Sequence, residues 1–545
     1  MGCYFYLLKL HHAKMEINLS IKAKSLKGLI ETVKKNISLR SIVIISIVLS
    51  IISTTYFFFN DQIVTYGDAE SHLNIAKRVV HSITPGVAQI GGIWLPLPHM
   101  MLVPFVYFDF LWRTGLAGSI VSGVSFIVSS VFLYRITYFL TKDKVISFVS
   151  FIIFASNPNI LYLQSTPMTE LVLIMFFLLS TYYFIRFIYN SENIIYLIIA
   201  AFFGFCASLS RYDGWFLVLF EAMAIVVLYI GKKKFWREME GKLFLFSTLA
   251  FLGVLLWILW DYLILGDPFY FTNSQFSAKT QQQNWYIRGE LPSYHNIFSA
   301  LYYYFVTSLS NSGFLIFLTS IVGLIIFLKD HFKEQKIYLV LLILFVPFIF
   351  NVATLFLGQS VIFIPHITPN TFEWTLFNVR YGVMMIPVVT ILFSYLLTRR
   401  SVTTYFVLAL IFVLQFMLYF VGYSDVITLA DGTRGLSKAE RHDAEYWLKD
   451  NYDDGLVLID DYARTVSIVR TKIPMQNIIY IGNRKYWEES FNQPEKYATW
   501  IVMQRDDAVW QGIYGKPHIQ SRLFKYFNKV YTSPDILIFR KIRTT

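Results

Sequence analysis

Asp68 and Glu70, in the stretch Tyr66-Gly67-Asp68-Ala69-Glu70-Ser71-His72, directly follow the first long apolar run of the chain. The continuation Leu73-Asn74-Ile75-Ala76-Lys77-Arg78-Val79-Val80 has helical spacing, with Leu73, Ala76 and Val80 on one face and Lys77 and Arg78 off it. Two acids in the first turn of such a helix sit at the positive end of its dipole, which favours their ionised forms. An ionised carboxylate at a membrane surface, facing a lipid-borne substrate, can act as a general base. The plainer alternative is a solvated acidic cap on an amphipathic helix.

The elements that must position these residues are read from composition and loop charge. The chain has 545 residues, 56% hydrophobic, 18% aromatic and only 15% charged, a balance that belongs to an integral membrane protein. Its net charge of +12 is gathered in short loops, which points to topology and away from nucleic acid. Two distant cysteines, Cys3 and Cys206, imply neither a disulfide framework nor a thiol–metal motif.

Residues 1–40 form a basic segment, followed by a first apolar span at about 41–59. A basic flank inside with the span running outward is the favoured orientation, so the N-terminus is expected in the cytoplasm and residues 60–98 form the first outer loop. Residues 99–112 read as an interfacial helix. Ten more spans are expected near 115–140, 145–162, 170–189, 193–210, 215–230, 243–264, 311–328, 337–357, 381–398 and 402–421, eleven in all. Every basic loop then falls inside: Lys142/Lys144, Lys232-Lys233-Lys234, Lys329/Lys333/Lys336 and Arg399-Arg400. The same parity places the unusual polar loops outside with Asp68 and Glu70. They are Ser156 through Glu170, Ser210-Arg211-Tyr212-Asp213-Gly214-Trp215, Gly266 through Asn296, and Gly358 through Arg380. A transporter of inverted repeats places ionisable groups or broken helices at mid-membrane instead. Clustering at one interface is the pattern of an enzyme.

Residues 437–545 differ in composition and read as a small soluble α/β domain outside the membrane. Ser437-Lys438-Ala439-Glu440 has the spacing of a capping box, and runs at 456–459, 499–503 and 536–539 have the length of buried strands. Asp460-Asp461 and Asp506-Asp507 read as turns, because adjacent side chains on a strand diverge too far to share a metal.

The membrane part resembles the GT-C glycosyltransferases, above all prokaryotic relatives of the protein O-mannosyltransferases and aminoarabinose transferases. The resemblance rests on Gly67-Asp68-Ala69-Glu70-Ser71-His72-Leu73, Trp94-Leu95-Pro96-Leu97-Pro98-His99, Ser210 through Trp215, Gly266-Asp267-Pro268-Phe269-Tyr270-Phe271 and Arg380-Tyr381. Ala69 separates the two acids, whereas many relatives have them adjacent, so either Asp68 or Glu70 matches the family's catalytic position.

What the resemblance implies is a multi-pass enzyme of a prokaryotic cell membrane with its C-terminal domain extracytoplasmic. It would take a sugar from a polyprenyl-phosphate carrier, invert the anomeric centre, and pass the sugar to a protein, lipid or glycan acceptor on the outer face. Such a step needs a base for the acceptor hydroxyl and positive charge near the departing phosphate. Asp68, or Glu70 in its place, is the expected base, and Glu70 and His72 would orient the acceptor or polarise Asp68. Arg380 is the expected phosphate ligand and Arg211 the second choice, since a guanidinium presents paired donors to phosphate oxygens. An Arg beside a Tyr at an interface also anchors helix ends, the competing role for Arg380-Tyr381. His99 and His366 are candidate supports, and Trp94, Trp285 and Trp374 candidate stacking surfaces. No cofactor is expected. Asp68, Glu70 and His72 could supply ligands to a divalent cation, which one branch of the superfamily uses, but a metal-free site is the favoured expectation. The rival in another class is a carrier or flippase for lipid-linked glycans.

Overall fold

The structure, a computed structural model, describes residues 35–230, 235–440, 442–461 and 466–543. Most of the basic segment 1–40 and the Lys232-Lys233-Lys234 run lie outside the described residues.

Five helices are long and apolar enough to cross a membrane: Leu39–Phe59, Leu116–Thr141, Glu170–Tyr189, Val379–Arg399 and Val402–Val421. Three further candidates are bent pairs, Trp236–Ala250 with Leu252–Leu265 at 40°, Ile297–Ser312 with Phe314–Asp330 at 112°, and Gln335–Leu344 with Val346–Phe356 at 52°. Length and composition therefore give five to eight spans among the described residues, against eleven expected. The other three expected spans form helices of 12, 15 and 17 residues, Lys144–Ala155, Ile194–Ser208 and Asp213–Tyr229. At 1.5 Å per residue the first of these covers only about 18 Å of a hydrocarbon core of about 30 Å.

The breaks have local causes. The expected 145–162 span stops at Ala155 because Asn157 caps the amides of Asn159 and Ile160, and Pro158 opens a new helix, Pro158–Leu163. Gly313, at φ 91°, permits the 112° bend between its flanking helices, and a Cβ there would meet the Gln415 side chain at 2.8 Å. Glu170–Tyr189 is central, with 78% of its apolar window buried, whereas Val402–Val421 is peripheral at 11%.

In the first loop the helix Gly67–Val80 forms, with Asp68 and Glu70 in its first turn. Lys77 and Arg78, expected off the apolar face, are instead buried. Lys77 Nζ donates to Asp109 Oδ1 at 2.6 Å and to the Val106 carbonyl at 2.9 Å. Arg78 pairs with Asp461 and lies 3.9 Å above the Tyr480 ring. The helix is covered on one side by Pro96–Val106 and Asp109–Thr114, into which the expected 99–112 helix divides, and on another by the C-terminal region.

That region holds a five-stranded sheet of β1 (Val457–Leu458), β2 (Ile478–Ile479), β3 (Trp500–Gln504), β4 (Phe527–Thr532) and β5 (Ile536–Lys541), in the order β2-β1-β3-β5-β4. β1 runs parallel to β2 and β3, and β5 antiparallel to β3 and β4. The three expected strands are β1, β3 and β5. β2 is two residues long and β4 a mostly exposed edge, so neither shows the apolar run of a buried strand.

The capping-box pattern at Ser437–Glu440 does not begin a helix, which starts only at Asp443. The backbone there is taken by pairing with the first loop. Gly67 N–H donates to the Ser437 carbonyl at 2.9 Å, and Ala439 N–H to the Thr65 carbonyl at 2.7 Å.

Candidate active site

A cavity of about 1440 Å³ opens between the helical body, the first loop, the long Gly266–Asn296 loop and the C-terminal sheet region. Asp68, Ser71, His72, Ile75 and Arg78 all line it. These positions recur at i, i+3, i+4, i+7 and i+10, so one face of the Gly67–Val80 helix runs along the wall. Asp68 stands at the N-terminal end of that face.

Asp68 Oδ2 accepts a hydrogen bond from Arg380 Nη2 at 2.7 Å. Arg380 is 4% exposed, and its other nitrogens are also engaged. Nε donates to Glu170 Oε1 at 3.2 Å, and Nη1 to Ser437 Oγ at 3.2 Å with Asp431 Oδ2 at 3.8 Å. Glu170 Oε1 also accepts from Arg211 Nη1 at 3.1 Å, and Arg211 Nε lies 3.5 Å from Asp213 Oδ2. One buried carboxylate thus holds two guanidinium groups side by side. The Tyr381 ring lies 5.2 Å from both of them.

Glu170 and Asp431 went unmarked as site residues in the sequence. Glu170 opens the central helix, where a lone acid reads as a span boundary. Asp431 lies in the short helix Ile427–Arg434, between the last span and the sheet region, with no local signal. Burial pushes the Asp431 carboxyl up to about 6, against the opposing pull of Arg380.

Asp68, Arg380 and Arg211, far apart in the chain, meet in this cluster; Glu70 does not join it. Two residues on from Asp68 in the same helix it points the other way, as an i, i+2 pair must. Glu70 Oε2 accepts from Ser467 Oγ at 2.5 Å and Oε1 from the Val469 amide at 3.3 Å. Arg380 likewise differs from expectation, since its fork is closed on protein groups; Arg211, with a side chain 19% exposed, faces the cavity more openly.

His72 and His99 come together, Nδ1 to Nε2 at 2.9 Å, with the His72 ring 4.6 Å from that of Trp94. Burial, then the neighbouring His99, holds the His72 imidazole well below its ordinary value, and burial lowers His99 to about 4. Both are therefore neutral at pH 7. Trp94 and Trp285 line the cavity, whereas His366 and Trp374 do not.

Among the described residues no three His, Cys, Asp or Glu side chains converge as a metal-ligand set. Asp68, Glu70 and His72 point to Arg380, Ser467 and His99 respectively, and the positive charge beside Asp68 is a guanidinium. Asp460 and Asp507 accept from backbone amides of nearby turns, and Asp461 pairs with Arg78.

Residues 111–260 match the family model of the dolichyl-phosphate-mannose-protein mannosyltransferases. Among solved structures, ArnT from Cupriavidus metallidurans bound to undecaprenyl phosphate superposes with a TM-score of 0.52, at 11% identity, over 91% of this chain and 98% of that one. The chain thus has an ArnT-like fold, and about a quarter of it resembles the mannosyltransferase family. The matched segment contains Glu170 and Arg211, while Asp68 and Arg380 lie on either side of it. The Archaeoglobus fulgidus oligosaccharyltransferase AglB, in complex with an inhibitory peptide and a dolichol-phosphate, is similar at 12% identity over 92% of this chain and 74% of that one, with a TM-score of 0.47. No curated protein matches the sequence.

Proposed function

We propose that the chain is a GT-C enzyme that transfers a sugar from a polyprenyl-phosphate carrier to a protein, lipid or glycan acceptor at the outer face of a prokaryotic cell membrane, inverting the anomeric centre. The observation that carries this reading is the Asp68 carboxylate on the cavity wall, 2.7 Å from the buried Arg380. The undecaprenyl phosphate in the similar ArnT structure supports the class of carrier.

In the proposed step Asp68 takes the proton of the acceptor hydroxyl as that oxygen attacks the anomeric carbon. The bond from that carbon to the phosphate oxygen breaks, and its electron pair leaves on the polyprenyl phosphate. Arg380 orients Asp68 until substrate arrives. Arg211, the more open guanidinium, meets the phosphate, and Arg380 shares that charge when its fork releases Asp68. Neutral His72, backed by His99, accepts or donates a hydrogen bond to the acceptor, and Tyr381 packs against both arginines. The cation beside the leaving group is an arginine in this scheme, which assigns no role to a divalent metal. The short helices complete an eleven-span arrangement, with the N-terminus in the cytoplasm and the C-terminal sheet domain outside.

The test is purified enzyme in liposomes with lipid-linked sugars extracted from its own host membranes. Release of free polyprenyl phosphate together with a new glycosidic product supports the reading. Movement of intact lipid-linked sugar across the bilayer without product refutes it.

A further inference from the structure

The turn that carries Asp68 is held from outside the helical body. Tyr66 pairs with Lys438 across an antiparallel bridge, and Gly67 N–H donates to the Ser437 carbonyl at 2.9 Å. Ser437 Oγ in turn accepts from Arg380 Nη1 at 3.2 Å. On the opposite side of the same turn, the Glu70 carboxylate is gripped by Ser467 Oγ–H and Val469 N–H of the C-terminal region. Ser467 is itself fixed, its amide donating to the buried Glu445 at 2.8 Å. Asn74 steadies Glu70 from its own helix, its Nδ2 3.4 Å from Oε1, while Asn74 Oδ1 accepts from Trp112 Nε1 at 3.1 Å.

Asp68 and Glu70 therefore form a two-sided grip on one helical turn, one carboxylate facing the cavity and the other facing the C-terminal domain. A group two residues from the base, roughly 200° around the helix, cannot reach the same substrate atom. It can set where the base stands. From this geometry we infer that Glu70 is a positioning residue, and that docking of the C-terminal domain onto Glu70 through Ser467 and Val469 holds Asp68 in register with Arg380. The inference rests on the reading of Asp68 as the base. It gives the C-terminal domain a part in the transfer step itself, since a shift of the base by about 1 Å costs up to a hundredfold in rate.

The experiment compares Ser467→Ala, Glu70→Ala and Glu70→Gln in the full chain. Gln keeps an acceptor oxygen for the Val469 amide and can hold Ser467 with the bond reversed, its Nε2 donating to Ser467 Oγ, but has no basicity. The expected result is a kcat about tenfold lower in Ser467→Ala and Glu70→Ala, with donor KM and the acid limb of the pH profile unchanged, and rescue to within about threefold in Glu70→Gln. Amide hydrogen exchange over residues 67–72 should quicken in the two Ala variants and stay near wild type in Glu70→Gln. This readout needs no substrate. Loss of activity in Glu70→Gln as deep as in Asp68→Asn, with the acid limb gone, makes Glu70 a base and overturns the inference. Unchanged exchange and kcat in both Ala variants overturn it too, and Ser467→Ala, the smallest change, covers the case in which Glu70→Ala misfolds. Full activity in Asp68→Asn is a separate failure, of the catalytic reading alone.

Discussion

Asp68 and Arg380 stand 312 residues apart in the chain and 2.7 Å apart in space, Oδ2 to Nη2. Arg380 is buried and Asp68 is on the cavity wall, so the pair joins the interior of the helical body to the cavity. Neutralising either partner leaves the other charge partly buried, and the two replacements have different signatures.

Asp68→Asn keeps shape and removes basicity. Transfer should fall by about a hundredfold or more, the usual scale for a lost general base, while detergent-solubilised protein elutes and melts as wild type. Transfer from an authentic donor at near-normal rate would reduce Asp68 to a helix cap.

Arg380→Lys separates a fork from a point charge. Lysine preserves the charge but cannot bond Asp68, Glu170 and Ser437 at once. The expected loss is about 1.5–3 kcal/mol in kcat/KM, with Arg380→Ala worse. Arg211→Lys should instead raise the donor KM. Rate against donor concentration in liposomes measures both, and unchanged kinetics in Arg380→Lys would leave only an anchoring role.

Asp431 makes stability depend on pH in a defined direction. Its carboxyl titrates at about 6 in the fold against 3.8 as the reference value, a raised pKa. The stability tied to the protonated form is fully present below about 4 and is lost as pH rises through 6. Asp431→Asn mimics that form, so it should equal wild type in thermal stability near pH 4 and exceed it at pH 8. The ceiling is roughly 3 kcal/mol, from about two units at 1.36 kcal/mol each. Paired melting curves at pH 4 and 8 in detergent test the sign. A variant less stable than wild type at pH 8 would show that the ionised carboxylate is needed beside Arg380.

Sidedness has its own test. Single cysteines at Arg288, in the long loop, and at Lys333, in a basic one, are both at exposed positions. In intact cells an impermeant thiol reagent should label the first and spare the second. Labelling at Lys333 would invert the topology and place the cavity in the cytoplasm.

Much of this arrangement was readable in the sequence, because the bilayer imposes strong rules. Loop charges grouped Asp68, Arg211 and Arg380 on one face, and the three lie around Glu170. The count of full-length spans was less accessible, since Pro158 and Gly313 break helices whose apolar content continues across the break. Asp431 gave no signal at all: an acid in a short amphipathic helix looks solvated until long-range packing buries it. The roles of Asp68 and Glu70 were separable in principle, because residues i and i+2 of a helix never share a face. What the helix alone did not say was which face met the cavity.

The pairing of Thr65–Gly67 with Ser437–Ala439 bears on how the molecule is made. Synthesis runs from the N-terminus, so the acidic turn emerges early, and its backbone partners follow only after the whole helical body has been inserted. Ser437, one of the groups that hold Arg380, arrives at the same late stage. A nascent chain stalled between Arg380 and Ser437 thus carries both Asp68 and Arg380 without the backbone pairing that seats the acidic turn.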